Sequence, residues 1–300
     1  MRRVSLVFTV LGISLLVLIS CTTNDNTVSP AEFRVTLAPN VLDSTLTDVF
    51  VHNIKKDQYQ LFITLTDVEI QHYHPAEFHR GSVYIIRRKD GNPETKDQWR
   101  DELWKYTSMK QGIKIFSSHG LDFRTSPQEK NIALIADTTL HFIDATTHTT
   151  VAQFYPAELS PFHRQDTRIQ LLEWSKDGRS FWGTMCKTVD ILSFFCIMPE
   201  KWSVDSYNVD TLRIQSTDFA VNPESGLLVY SDYPAIFDVI SYESIKKSKI
   251  PIHLYLFDLK SGNKKILTTT YSKQFKPLWL STKSIEIDNP AGKGRVIISI

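Results

Sequence analysis

Four side chains within eight residues carry the densest potential for chemistry in this sequence: His72, His74, Glu77 and His79. Imidazole and carboxylate suit a zinc-like ion, and His-x-His on an extended segment aims both rings to one side. The spacing fits no defined metal signature, so neither a metal nor a cofactor is assigned to the chain. Tyr73 and Phe78 interleave with these residues, and Tyr233, Phe237 and Tyr242 form a second aromatic set further along, with Asp238 beside Phe237. Such rings can make a rim for a sugar or a protein partner. Packing of the loops onto their own scaffold is the simpler use of the same residues, and it is preferred. Phe162, His163 and Arg164 form a third group of this kind.

Catalytic signatures are missing. The sequence has no Gly-x-Ser-x-Gly elbow, no His-Glu-x-x-His pair, no glycine-rich phosphate loop and no nucleophilic Cys-His setting. Ser117-Ser118-His119-Gly120 sets serine beside histidine, but adjacency in sequence does not make a triad. Asp90-Gly91-Asn92-Pro93-Glu94 lacks calcium-loop spacing. Glycoside hydrolysis needs two convergent carboxylates, and Asp122, Asp190, Asp218 and Asp238 are eligible by position. Convergence cannot be read from one dimension. A non-catalytic binding protein is therefore the leading expectation and a glycoside hydrolase acting on extracellular polysaccharide the alternative.

The elements that would position these residues are hairpins. "EWSKDGRSFWG", residues 173–183, sets a tight polar turn between bulky aromatics. The pattern returns from Leu121 to Ala136, from Asp218 to Tyr230 and from Pro277 to Ile287, with a weaker copy from Val49 to Ile63. Each joins an aromatic near a strand end to a Ser, Asn, Asp, Pro or Gly turn and a β-rich strand. Phe123, Trp174, Phe219 and Trp279 stand 51, 45 and 60 residues apart. Such periods with strands throughout mark β-propeller blades. Leu140–Thr147 and Leu254–Gly262 share a second pattern, a strand ending in aspartate whose carboxylate can accept turn amides. Trp174, Trp182 and Trp279, at strand positions, are expected to wedge adjacent blades. Helical periodicity is confined to Asp97–Tyr106 and Val239–Lys247.

Residues 173–183 with "HLYLFDLKSGNKKILT" resemble the repeats of TolB-type propellers, which pair a Trp-Ser-x-Asp-Gly turn with an Asp-x-x-x-Gly corner. The likeness is good over one and a half blades and loose elsewhere. It implies a fold; TolB's separate α/β domain is missing, so its partners are not carried over.

The expected architecture is all-β: a propeller over residues 32–300 with about five four-stranded blades. Six stays open because residues 38–112 are long for one blade. The final unit offers three strands, so Glu32–Leu37 is expected to pair with it and seal the ring. Loops between the second and third strands share a face with the connections between blades. The segments Tyr233–Pro251 and Gln71–Arg80 are placed there as inserts. Pro-Ala-Glu-Phe at 30 and 75, Pro-Ala-Glu-Leu at 156 and Pro-Ala-Ile-Phe at 234 fall on that face too, with coincidence the preferred explanation.

The address is read from the start. Arg2 and Arg3 precede an apolar run, Val4–Ile19, too short to span a bilayer. It ends in Leu18-Ile19-Ser20-Cys21, which resembles a bacterial lipobox. The resemblance implies cleavage after residue 20, acylation of Cys21 and a tether over residues 21–31. Thr22, in place of aspartate, points to the outer membrane. Several acyl chains give stable anchoring. Removing Arg2 and Arg3 leaves 32 basic and 33 acidic residues, 34 − 2 against 33. No basic run suggests nucleic acid. Expected partners are the membrane, through the lipid, and another envelope protein or a glycan. Cys186 and Cys196 flank a hairpin tip in an oxidising compartment, where they could be bonded or remain two buried thiols.

Overall fold

Alternating β-branched and aromatic residues, punctuated by Gly, Pro, Asn and Asp, favour short strands over helices. The computed structural model describes residues 33–66, 76–89, 99–107, 112–162, 166–187, 190–215, 218–233, 247, 249–271 and 274–300. These residues build six antiparallel sheets. The first comprises β1 (Phe33–Pro39), β2 (Leu46–Asn53) and β3 (Gln58–Thr66). The second holds β4 (Ala76–His79), β5 (Ser82–Lys89), β6 (Arg100–Thr107) and β7 (Gly112–Ser118). The third holds β8 (Asp122–Thr125), β9 (Asn131–Ala136), β10 (Thr139–Asp144) and β11 (Thr150–Phe154). In the fourth, β12 (Arg168–Trp174), β13 (Phe181–Lys187), β14 (Asp190–Met198) and β15 (Ser203–Asn208) are joined by β16 (Ile214–Gln215), which pairs with β14. The fifth contains β17 (Phe219–Asn222), β18 (Leu227–Ser231), β19 (Ile252–Asp258) and β20 (Lys264–Thr270), and the sixth β21 (Leu278–Ser281), β22 (Ser284–Asp288) and β23 (Arg295–Ser299). Each sheet is a meander in which sequence neighbours pair, β16 excepted. One helical turn, α1 (Pro156–Leu159), links the third sheet to the fourth.

The core lies between sheets. Buried clusters join the first sheet to the second through Val49, Ile63, Val83 and Ile85, and the second to the third through Tyr84, Leu103, Phe123 and Leu134. Phe142, Trp174, Phe181 and Phe195 fill the next junction, and Phe194, Phe219, Val221 and Tyr230 the one after. Val229, Phe275, Trp279 and Ile285 join the fifth sheet to the sixth. Each full burial of such a side chain contributes about 1.5–3 kcal/mol. Successive sheets that cover one another face to face in chain order make a propeller-type fold.

Tryptophans knit the junctions. Trp174 Nε1 donates to the Arg124 carbonyl at 2.9 Å, and Trp279 Nε1 to the Ala220 carbonyl at 3.1 Å, each crossing to the innermost strand of the preceding sheet. Trp182 Nε1 reaches the Pro223 carbonyl at 3.1 Å. All three act as the expected wedges. Gly183 is needed opposite Phe195, because a Cβ there would lie 2.2 Å from the ring tip.

Several expectations are corrected. The long interval 38–112 divides between two sheets, so the described residues form six sheets, the number that the length of this interval left open. Phe33–Pro39 does not seal the last sheet; it pairs with β2 from Phe33↔Asn53 to Pro39↔Thr47. Arg100–Thr107 is a strand, with Asp101, Leu103 and Tyr106 turned inward. Ala76–His79 is not an insert loop but the innermost strand of the second sheet. Its Pro-Ala-Glu-Phe echo is therefore a strand, whereas Pro156-Ala157-Glu158-Leu159 is a helical turn. The echoes at 30 and 234, and Val239–Lys247 apart from Lys247, lie outside the described residues.

Candidate functional site

A four-stranded meander has two unequal ends. Turns from the first strand to the second, at 80–81, 126–130, 175–180, 223–226 and 282–283, share one end, here the turn face. Connections from the second strand to the third, and from each sheet to the next, share the other, the loop face. The turn face is consumed by its own contacts. Gln128 Nε2 donates to the Lys176 carbonyl at 2.8 Å, the Lys176 amide donates to Glu224 at 2.7 Å, and Asn222 Nδ2 to the Ser281 carbonyl at 3.4 Å. Glu129 accepts the Tyr84 hydroxyl at 3.0 Å from the second sheet. The turns of the third to sixth sheets thus hold one another in a chain, and β5 of the second sheet bonds to the first of them.

The loop face carries the longest connection, 232–251, between β18 and β19. At its foot Asp232 gathers three donors. Its Oδ1 accepts the His253 amide at 2.6 Å, and its Oδ2 lies 3.1 Å from His253 Nδ1 and 3.0 Å from the Tyr255 hydroxyl. Strand periodicity explains the convergence. His253 and Tyr255 alternate along β19, Tyr230 faces Tyr255 across the ladder, and Asp232 follows two residues later. The Tyr230 and Tyr255 rings stack at 5.3 Å, and Lys264 Nζ sits 3.7 Å from the Tyr255 ring centre, a cation–π contact. Burial pushes the Lys264 ammonium below its ordinary range, and burial raises both phenols. Tyr230 is 1% exposed, and its hydroxyl has no hydrogen-bond partner among the described residues. His253 and Asp232 stay partly open to solvent. With Nδ1 turned to a carboxylate, the imidazole keeps Nε2 as its second hydrogen-bonding group. None of these five residues is conspicuous in the sequence; Tyr-x-Asp and His-x-Tyr on paired strands are the signal that could have found them.

The expected site residues fare differently. His72, Tyr73, His74, His163, Arg164, Phe237, Asp238, Tyr242 and Cys21 lie outside the described residues. His79 Nε2 lies 3.2 Å from Glu77 Oε2, within hydrogen-bond distance, and Glu77 also accepts the Thr125 amide at 2.8 Å, clasping β4 to β8. Phe78 packs 5.1 Å from Phe33 and 6.0 Å from Phe62, in the junction between the first two sheets. Tyr233 is 4% exposed, within the cluster that includes Ile252, Phe275 and Trp279. Phe78 and Tyr233 thus pack into the scaffold.

The three described carboxylates eligible for hydrolysis, Asp122, Asp190 and Asp218, sit in different surroundings. Asp218 is 2% exposed and accepts the Phe275 amide at 3.1 Å, the Lys276 amide at 2.6 Å and the Ser231 hydroxyl. It is a clasp between the fifth and sixth sheets. Burial raises its pKa against the lowering effect of those donors. Asp122 accepts its neighbour's amide and Arg124 Nη1 at 3.3 Å, while Asp190 stands exposed at a hairpin tip.

Cys186 and Cys196 are free and buried. Cys186 pairs with Ile191 and Cys196 with Trp182, so the ladder never sets them opposite each other. The bonded alternative is thereby corrected. Among the described residues no helix is long and apolar enough to cross a membrane.

No protein-family profile matches the chain, and no curated protein matches it by sequence. Solved structures do. An oligogalacturonate lyase from Vibrio parahaemolyticus is similar at 10% identity, over 85% of this chain and 74% of that one, with a TM-score of 0.56. A manganese complex of oligogalacturonate lyase is similar at 12% identity over 88% and 74%, with a TM-score of 0.53. TolB from Acinetobacter baumannii gives 13% identity over 89% of this chain and a TM-score of 0.47; the chain spans 63% of its length. Likeness to the two lyase structures concerns the fold alone, and it supports a propeller.

Proposed function

We propose that the chain is an envelope lipoprotein, anchored through Cys21, whose propeller of six blades binds another envelope protein or a surface polymer through its loop face without catalysis. The unequal ends of the sheets carry this reading. On the turn face, side chains and backbone bond to the neighbouring turns, whereas the loop face bears the longest connection and the half-open Asp232–His253–Tyr255 network at its foot. An imidazole, a carboxylate and a phenol supply both donors and acceptors, as recognition of a polar partner requires. The hydrolase alternative draws no support from Asp218, whose lone pairs hold backbone amides.

Replacing residues 234–249 by a short Gly-Ser linker tests the proposal. Capture of envelope components on immobilised protein, and binding to a glycan array, are expected to fall at least tenfold while the thermal midpoint shifts by only a few degrees. Undiminished capture by a folded variant would contradict it.

A further inference from the structure

A cavity of about 560 Å³ lies between the first and second sheets, and the outer edge of β3 forms one side of it. β1 packs beside the inner strand β4, so β3 is the outer strand of its sheet, paired with β2 on one side only. The described residues that line the cavity include every one from 61 to 66. Side chains alternate along a strand, so consecutive residues border one space along the strand's edge rather than across one face. Among the described residues, one bond reaches the backbone of this stretch from the second sheet: Arg87 Nη2 donates to the Thr66 carbonyl at 3.1 Å.

Open edges are blunted by charge, by proline or by shortness. The outer strands β7, β15, β20 and β23 carry Lys114, Asp205, Lys264 with Lys265, and Arg295, while β11 is five residues long. β3 runs for nine residues, Gln58–Thr66, with neither a charge nor a proline.

Facing this edge is an aromatic shelf with one cation. Trp104 and Tyr106 pair with Ile85 and Val83, so they share the face of the second sheet that meets the first. Their rings stack at 6.1 Å. Gly112, opposite Tyr106, leaves them room, because a Cβ there would lie 2.5 Å from the Tyr106 ring. The Arg87 guanidinium lies 5.2 Å from the Trp104 ring centre and donates to the Tyr106 hydroxyl at 3.0 Å. Its cross-strand neighbour Glu102 is engaged elsewhere, by Trp104 Nε1 at 3.0 Å and by Lys114 Nζ at 3.3 Å. Arg87 therefore has no carboxylate partner among the described residues, and its fork keeps donors to spare.

We infer that this groove takes an extended peptide strand of a partner protein, paired backbone to backbone with residues 61–66 and carrying a carboxylate that reaches Arg87. Main-chain pairing selects an extended chain, the Trp104–Tyr106 shelf covers its side chains, and the guanidinium selects an acidic residue. The groove is separate from the Asp232 network, and the inference holds whether or not the loop face binds a partner.

The test selects a phage-displayed library of random short peptides on the immobilised full chain. Enriched peptides are expected to carry Asp or Glu among β-branched residues. N-methylation of one alternate set of their backbone amides should weaken binding at least tenfold, and N-methylation of the other set should not. Arg87→Gln should also weaken binding at least tenfold. Leu61→Glu, at a position 50% exposed, guards against a folding defect and should do the same by repelling the acidic peptide. Failure to enrich such peptides, or binding indifferent to both substitutions, would overturn the inference. Binding that needs Arg87 but ignores N-methylation would overturn it in favour of a simple anion pocket. Dimers of the free chain that Leu61→Glu dissociates would overturn it by naming a second copy as occupant. Slow exchange of the β3 edge amides in the peptide-free monomer would do so by naming a segment of this chain.

Discussion

At the scale of single residues, two of the side chains that looked chemical in the sequence, Glu77 and Asp218, act as fasteners. Glu77 and Asp218 hold backbone amides of a neighbouring sheet, and Asp101, fully buried, pairs with Arg88 at 3.0 Å and accepts the Leu121 amide. A buried carboxylate needs such donors, because an unpaired one costs several kcal/mol. The cysteines show what spacing alone conveys. Their shared hairpin is legible, but the tip closes at Lys187↔Asp190, so Cys196 lies well down the ladder from Cys186. Burial pushes the Cys196 thiol up to about 12 and raises Cys186 as well. Thiol reagents at neutral pH should therefore leave both unlabelled in the native protein and label both on unfolding. A peptide mass showing Cys186 bonded to Cys196 would contradict this.

Elements were legible where a strong local signal met a regular ladder. The turns after Phe123, Trp174, Phe219 and Trp279 all join a first strand to a second, as their Ser, Asn, Pro and Gly residues predict. Arg100–Thr107 misled because the shift at Leu103/Trp104 breaks the alternation, so Trp99, Leu103 and Tyr106 fall at helical spacing. The first sheet was half visible: its hairpin, Val49–Ile63, is present, but no inner-strand aromatic announces it. The Asp232 network was invisible because it forms across two strands and an intervening loop. The wedge role of the tryptophans belongs to this scale. Trp174→Phe removes the indole bond to Arg124 and leaves a void, and should cost about 1–3 kcal/mol in urea unfolding. An unchanged midpoint would mean that the junction between the third and fourth sheets does not depend on it.

For the whole molecule, stacking follows from geometry: no sheet of three to five short strands can hide both faces, and each does so against the next. The five junction clusters run in chain order, so the period seen in the aromatics is the period of the stack. What the period cannot convey is which end of the stack is used. That depends on contacts between turns, such as Gln128 to Lys176 and Lys176 to Glu224, each bridging 48 residues. The direct test places a photo-reactive amino acid in living cells at Ile250 on the loop face, which is 47% exposed, and at Lys283 on the turn face. The account predicts adducts to a partner or polymer from Ile250 and none from Lys283. Adducts from Lys283 alone would contradict it.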